Sequence, residues 1–154
     1  MQEKEIWQAR DPEYRNRVLD SFQRQPFMQT LGVELTSIEP GYCEMRLAFQ
    51  ESLTQQDGYF HAGIMATIAD NSAGYAAFSL MQPDSAVLSV EFKINLLSPG
   101  IGEFLRAKGR VIKNGRTLKV CQSEVFNEKE GELTLCAIAT VTLMELQKPS
   151  DTFI

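Results

Sequence analysis

The spacing of apolar residues along the chain changes from four, to two, to a dense run of small residues, and then back to two. Tyr14, Val18 and Phe22 recur every four residues with Leu19 beside them, which predicts an amphipathic helix over 11–25. Asp11 suits the cap, Pro12 the first helical position and Glu13 the positive end, and Pro26 closes the segment. Ile6 and Trp7 are the only sizeable apolar residues in the ten-residue arm that precedes it. From Leu31 the period becomes two: 31–35 and 43–49 alternate around Glu39-Pro40-Gly41, a β-hairpin with one wet face. A polar loop, Gln55 to Phe60, then leads into a helix over about 62–80, stopped by Pro83. Everything after that reads as strand: 87–96, 103–112, 116–126 and 133–146, with turns at Ser98-Pro99-Gly100, Asn114-Gly115 and Glu130-Gly131. Leu133, Leu135, Ala137, Ala139, Val141 and Leu143 share one face of the last strand, and the residues after it are expected to fray.

Helix, two strands, one long helix and four long strands make an α+β protein with an antiparallel sheet. Such a sheet must bury one face, and the 62–80 helix is the cover, so the sheet is expected to curl around it. No repeat or linker divides the chain, and 154 residues suit one domain spanning 1–154, with a helical arm over 1–26 and a core over 27–146.

Composition excludes several functions. A net charge of −5 argues against nonspecific nucleic-acid binding. No apolar run is long enough to span a membrane, because Asp70 and Asn71 interrupt the most apolar region. The first residues carry no export signal, and three scattered cysteines read as free thiols in a reducing compartment, so a cytoplasmic location is expected. One histidine and three cysteines without ligand spacing make a zinc site unexpected. Arg106, Lys108, Arg110, Lys113, Arg116 and Lys119 form a basic stretch without acids, suited either to a compact anionic ligand or to solvated strand faces.

Candidate chemistry gathers in the 55–70 stretch. On a helical wheel Ile64, Met65, Ile68, Tyr75 and Phe78 fall on one side, and Gly63, Ala66, Ala73, Gly74 and Ala77 on the other, with Asp70 among the small residues. A carboxylate in such a shallow, partly dry trough is a candidate for a raised pKa and a reactive role, though a solvated polar face would carry it equally well. His61, the only histidine, directly precedes the helix, as either a loop residue or part of a site. The N–H groups of Ala62 and Gly63 sit at the positive end of the helix dipole and are candidate donors to a polarised carbonyl oxygen. Nine residues separate His61 from Asp70, which is about 13 Å of rise and half a turn. They therefore cannot meet on one substrate atom within a chain; a site that uses both needs two subunits related by a two-fold axis.

The run His61-Ala62-Gly63-Ile64-Met65-Ala66-Thr67-Ile68-Ala69-Asp70, followed by Ser89-Val90-Glu91-Phe92 and Asn114-Gly115-Arg116-Thr117, resembles the hotdog-fold acyl-CoA thioesterases. The nearest subgroup is the one named for phenylacetic acid degradation, related to the 4-hydroxybenzoyl-CoA thioesterases. The resemblance spans roughly 27–146 and implies a long central helix wrapped by a curved sheet, in homodimers and often homotetramers. It implies an acyl-CoA substrate, with no metal or redox cofactor. It assigns Asp70 to activating water or attacking the thioester, Ser89 to orienting that water, and the Ala62 N–H to polarising the carbonyl. His61 then supports the loop, and Gln55 falls where the family often has Asn reaching in from the opposite subunit. The family motif is most often His-Gly-Gly, against His-Ala-Gly here, which keeps the backbone donor. Gly63 and the turn Asn114, Gly115 and Arg116 become candidate substrate contacts, Arg116 for the phosphates of coenzyme A or simply as a surface residue. A non-catalytic acyl-CoA-binding protein of the same fold and a hotdog hydratase or dehydratase are the alternatives.

Overall fold

A computed structural model describes residues 6–147. Two short helices, α1 (Tyr14–Gln23) and α2 (Pro26–Leu31), precede a hairpin of β1 (Val33–Glu39) and β2 (Tyr42–Ala48). A single 3-10 turn, Glu51–Leu53, leads to the long helix α3 (Ala62–Phe78). Four strands follow: β3 (Ser85–Leu96), β4 (Phe104–Asn114), β5 (Leu118–Lys129) and β6 (Glu132–Gln147). All six strands form one antiparallel sheet in the order β1-β2-β4-β5-β6-β3, and α3 lies against five of them. This is the hotdog arrangement: a central helix held in a curved antiparallel sheet.

The helix is cradled because strand alternation puts one apolar face inward. Cys43, Met45 and Leu47 of β2, Leu105 and Ala107 of β4, Val125 of β5 and Val141 of β6 are all fully buried. The closest approach explains the small residues of α3. A Cβ placed on Gly109 of β4 would lie 2.3 Å from the backbone of Ser72, so strand and helix touch through their main chains there. Ala69, Ala73, Ala76 and Ala77 are buried, and Ser72 Oγ hydrogen-bonds Ser123 Oγ of β5 at 2.8 Å. Ala73 and Ala77 therefore leave the open small-residue face expected from the wheel. The sheet wraps further round the helix than a single large-residue face would require. What stays open is Ala66, Thr67, Asp70, Asn71 and Gly74, each half-buried.

The ends of the elements differ from the sequence expectation for identifiable reasons. The first helix does end before Pro26, at Gln23, and the same proline also opens α2, since its fixed φ and missing N–H suit a first helical position. Leu31 therefore ends a helix, and Gly32 turns the chain into β1 with φ 74°. Of the expected helical arm, residues 6–10 are not helical, and residues 1–5 lie outside the described residues. Asp11 does act at the start of α1, accepting from the Glu13 N–H at 2.9 Å. From α1, Arg17 reaches the carbonyls of Phe78 (3.1 Å) and Met81 (2.9 Å) at and just beyond the end of α3. The frayed tail expected after residue 146 lies, from residue 148 on, outside the described residues.

Bulges interrupt three of the long strands, the one in β4 falling between Val111 and Lys113. In β3, Ser89 pairs with Leu143 but Glu91 with Thr142, so Val90 is an extra residue and the face shared with Val87 and Ser89 passes to Phe92, Ile94 and Leu96, of which only Ile94 is half-buried and the other two stay exposed. In β6, Ala137 pairs with Val125 but Leu135 with Phe126. Leu133 and Leu135 therefore leave the face of Ala137, Ala139, Val141 and Leu143 and join the outer one. The turns also divide differently. Glu130 (φ 52°) and Gly131 (φ 80°) form the tight two-residue turn between Lys129 and Glu132. Asn114-Gly115 sits instead at the start of a wider loop, where a side chain on Gly115 would meet the Leu118 carbonyl at 2.4 Å.

Candidate active site

α3 carries both candidate groups, the N–H donors at its start and Asp70 at its middle, and the two face different surroundings. At the start, the His61 Nδ1 accepts the Gly63 N–H at 2.9 Å, and the His61 carbonyl accepts the Ile64 N–H at 2.9 Å. Histidine thus does the work usually left to Ser, Thr, Asp or Asn at a helix cap. This corrects one expectation: the Gly63 N–H is not a free donor, since the imidazole ring takes it. The Ala62 N–H has no protein acceptor among the described residues. It is the one first-turn donor left to point away from the helix at its positive end. His61, Ala62 and Gly63 are all exposed. His61 and Gly63 line an open cleft of about 390 Å³ together with Phe27, Leu53, Thr54 and Thr67.

At the middle of the helix, Asp70 is half-buried and Ser89 Oγ donates to its Oδ1 at 2.7 Å. Nineteen residues separate the two in the chain; the return of the chain from the end of α3 into β3 brings them together. The bulge at Val90 follows directly and lets Ser89 face the helix while the strand bends on. Burial raises the Asp70 pKa above the ordinary carboxylate value, and the hydrogen bond from Ser89 partly opposes this. A carboxylate so placed is a stronger base than a solvated one and has one oxygen oriented by a hydroxyl. Asp70 and Ser89 share a second cleft, of about 260 Å³, with Gln25, Gly74, Tyr75 and Leu143.

The two clefts have no lining residue in common. The chain thus holds the helix-start donor and the carboxylate apart, as the nine-residue spacing requires. Gln55 is likewise away from Asp70. It forms a compact turn whose carbonyl accepts the Gly58 N–H at 3.0 Å, while its side-chain oxygen takes the Asp57 N–H. The side chain of Gln55 is folded onto its own loop, so its reach toward a substrate is not displayed within one chain.

The basic stretch does not converge. Arg106 is paired with Glu44 and, at 2.8 Å, with Glu128 on the outer face of the sheet. Lys108 lies 5.2 Å from the Phe126 ring centroid. Lys119 points the other way and is fully buried, with its Nζ 2.6 Å from Glu145 and 3.3 Å from the Gly115 carbonyl. The stretch is therefore no single anion site: strand alternation sends its members to opposite faces, and several meet carboxylates. Lys119 was read only as part of this stretch, and nothing in the local sequence separates it from its neighbours; it props the 114–118 loop from beneath. Arg116 is exposed on that loop. In register, Asn114 pairs with Lys119, Lys119 with Leu143 and Leu143 with Ser89. Three strand spacings, about 14 Å, thus separate the loop from the Asp70–Ser89 pair within one chain.

Two further observations bear on the chemistry. Burial pushes the Cys121 thiol to about 12 and the Cys136 thiol to about 11, so neither is a ready nucleophile. Among the described residues no group of His, Cys, Asp or Glu is placed to hold a metal ion, and no helix is long and apolar enough to cross a membrane.

Comparison with known proteins agrees with this geometry. The thioesterase superfamily matches residues 57–134, the stretch that contains the loop, α3, Asp70 and Ser89. A solved thioesterase family protein from Silicibacter pomeroyi is 45% identical, superposes with a TM-score of 0.86, and is matched over 88% of this chain and 99% of that one. The human acyl-coenzyme A thioesterase 13 is 32% identical over 111 residues, covering 70% of this chain and 77% of that protein. The 1,4-dihydroxy-2-naphthoyl-CoA hydrolase of Listeria monocytogenes is 28% identical over 113 residues, covering 72% of this chain and 92% of that protein. The chain belongs to the thioesterase superfamily. It is a thioester hydrolase.

Proposed function

We propose that this protein hydrolyses an acyl-CoA thioester by water activation on Asp70, at a site shared between two copies of the chain. The observation that carries the reading is the 2.7 Å hydrogen bond from Ser89 to a half-buried Asp70, facing a cleft wide enough for an acyl group. Relatives whose names specify coenzyme A esters point to the same substrate class.

In this reading, water sits between Ser89 Oγ and the free oxygen of Asp70. Asp70 takes one proton as the water oxygen bonds to the thioester carbon. The carbonyl oxygen becomes an oxyanion, received by the Ala62 N–H at the start of the partner's α3. Collapse of the tetrahedral intermediate breaks the C–S bond, and the proton on Asp70 passes to the leaving thiolate. The products are the free acid and coenzyme A. Gln55 is proposed to add a contact from the partner, and Arg116 to meet the phosphates of coenzyme A.

The second copy is supported by β3. It is an edge strand, paired only with β6, and Leu88, Val90, Phe92 and Leu96 on it are each about half exposed. A long apolar edge is a pairing surface. A two-fold axis perpendicular to this strand would pair the two edges antiparallel, run the two α3 helices antiparallel and bring each Asp70 toward the other's helix start. The same family resemblance supports tetramers assembled from such dimers, working without a resident cofactor.

The test is release of free thiol from a panel of alkyl and aryl acyl-CoAs, with Asp70→Asn as control. Thiol release by the native enzyme and its loss in a folded Asp70→Asn variant are expected. Binding without thiol release points to a carrier, and undiminished turnover by Asp70→Asn removes the aspartate from the mechanism.

A further inference from the structure

The cleft that holds Asp70 and Ser89 continues along α3 in one direction. Its lining runs past Asn71 and Gly74 to Tyr75, with Val87, Leu88 and Leu143 as walls. No cation lines it. Coenzyme A carries phosphates and amides, whereas these walls are apolar, so this arm of the cleft suits the acyl group and the coenzyme leaves by the other side.

The far end is closed by the N-terminal helices. Gln25 stands in the break between α1 and α2 and lines the cleft. Its backbone is pinned at both ends: its N–H donates to the Phe22 carbonyl at 3.1 Å, and its own carbonyl accepts the Gln29 N–H at 3.3 Å. Its side-chain amide reaches the Tyr75 hydroxyl at 3.4 Å, and that hydroxyl also lies 3.2 Å from Ser21 Oγ. The Tyr75 ring is wedged edge-on against Phe22 and Phe78. The end of the cleft is thus a fixed, polar stop built on a packed aromatic group.

Resting on the reading of Asp70 and Ser89 as the water-activating pair, we infer that Gln25, held by Tyr75, sets the length of the acyl group and restricts the enzyme to short chains or a single ring. From Asp70 to Tyr75 the helix rises about 7.5 Å. An extended acyl chain advances about 1.25 Å per carbon, given a C–C bond of about 1.5 Å, so about six carbons fill the distance. The cleft volume, about 260 Å³, lies just below the range of about 300 to 1,000 Å³ common for small-molecule sites. A longer alkyl chain meets an amide and a phenol whose hydrogen bonds it cannot replace.

The experiment is a series of straight-chain acyl-CoAs from acetyl to palmitoyl, read as kcat/KM for the native enzyme and for Gln25→Ala. The Gln25 side chain makes no helix-capping bond, so the variant keeps α2. The native enzyme is expected to lose roughly tenfold or more in kcat/KM between hexanoyl- and dodecanoyl-CoA, and Gln25→Ala to raise the dodecanoyl-to-hexanoyl ratio by roughly tenfold. Tyr75→Phe keeps the ring packing, frees the Gln25 amide, and should shift the ratio the same way by less. Binding of the same series to Asp70→Asn should show the same break in Kd. Equal handling of hexanoyl and dodecanoyl esters, or a ratio indifferent to Gln25→Ala, overturns the inference. Absence of thiol release from every ester sinks the catalytic reading instead; the break in Kd with chain length, or its lack, still decides the stop.

Discussion

The two edges of the sheet are built to opposite ends. β1 is seven residues long, bulged between Leu35 and Ser37, and carries Glu34, Thr36 and Glu39 as exposed residues. Short length, a bulge and charge are what keep an edge from pairing with a neighbour. β3 is twelve residues long and exposes Leu88 (55%), Val90 (51%) and Phe92 (48%). Among the described residues no strand but β6 pairs with it. The chemistry lies on the same side: Ser89 stands on β3, and Asp70 faces it from α3. Among the described residues the β1 edge is short and charged, whereas the β3 edge is long and open beside the Asp70–Ser89 pair. In the proposed reading, the difference makes the site and the interface one construction.

If that is so, changes on the β3 side should cost activity and changes on the β1 side should not. The largest effect falls on Asp70→Asn, with kcat reduced by roughly 10²- to 10⁴-fold as for loss of a general base. The fold should be unharmed. The folded-state pKa of Asp70 is raised, so the ionised group costs stability, a cost that sets in as pH rises from the ordinary carboxylate range through the raised value. At neutral pH Asp70→Asn should therefore melt no lower than the native protein, and the difference should vanish in acid; a thermal melt at two pH values measures both.

Ala62→Pro comes next. Proline is tolerated at a first helical position, and His61 already has the extended conformation (ψ 137°) that a following proline demands. The variant should fold and lose roughly 10²- to 10³-fold in kcat, the usual loss for an oxyanion donor. Mixing inactive Asp70→Asn with inactive Ala62→Pro subunits should restore roughly a quarter of native activity, since half the dimers are mixed and each keeps one intact shared site. No recovery after verified subunit exchange would place both groups in one chain.

Phe92→Lys puts a charge on the open edge and should shift the protein toward monomer in analytical ultracentrifugation, with activity falling in proportion to the dimer lost. Ser89→Ala should lower kcat by roughly tenfold, and it removes the hydrogen bond that holds the Asp70 pKa down. The base works only when ionised, so activity falls as pH drops through this pKa. The acid limb of the kcat/KM profile should therefore move to higher pH in Ser89→Ala. The smallest effect is expected from Thr36→Lys on β1, within about 0.5 kcal/mol of native stability and with unchanged activity and sedimentation.

Much of this was legible in the chain because it depends on local patterns. The α3 helix could be bounded to within two residues from its dense small and apolar residues and the stop at Pro83. The β1–β2 turn followed from Pro40-Gly41, with Gly41 taking a φ of 75°. The pairing of α3 with four later strands followed from the need to bury one face of a sheet. The second helix that begins at Pro26 was not legible, because proline ends one helix and begins another with equal ease, and only the packing of α2 decides the latter. Leu133 and Leu135 misled because a bulge costs one residue and leaves no mark in an alternating sequence. The Gly63 N–H looked free because a histidine cap is uncommon, and the sense of the imidazole ring is a three-dimensional matter.

By itself the sequence determined the helix, the strands, the lone carboxylate on it and, through a rise of about 13 Å over nine residues, the separation of that carboxylate from the helix start. Those are consequences of spacing along one element. The tertiary structure alone decided that Ser89 meets Asp70, that Lys119 is buried against Glu145, that Gln25 closes the cleft and that β3 stands uncovered. Each of these joins residues far apart in the chain. Such contacts follow from sheet order, bulges and the return of the chain after α3, which local periodicity does not encode.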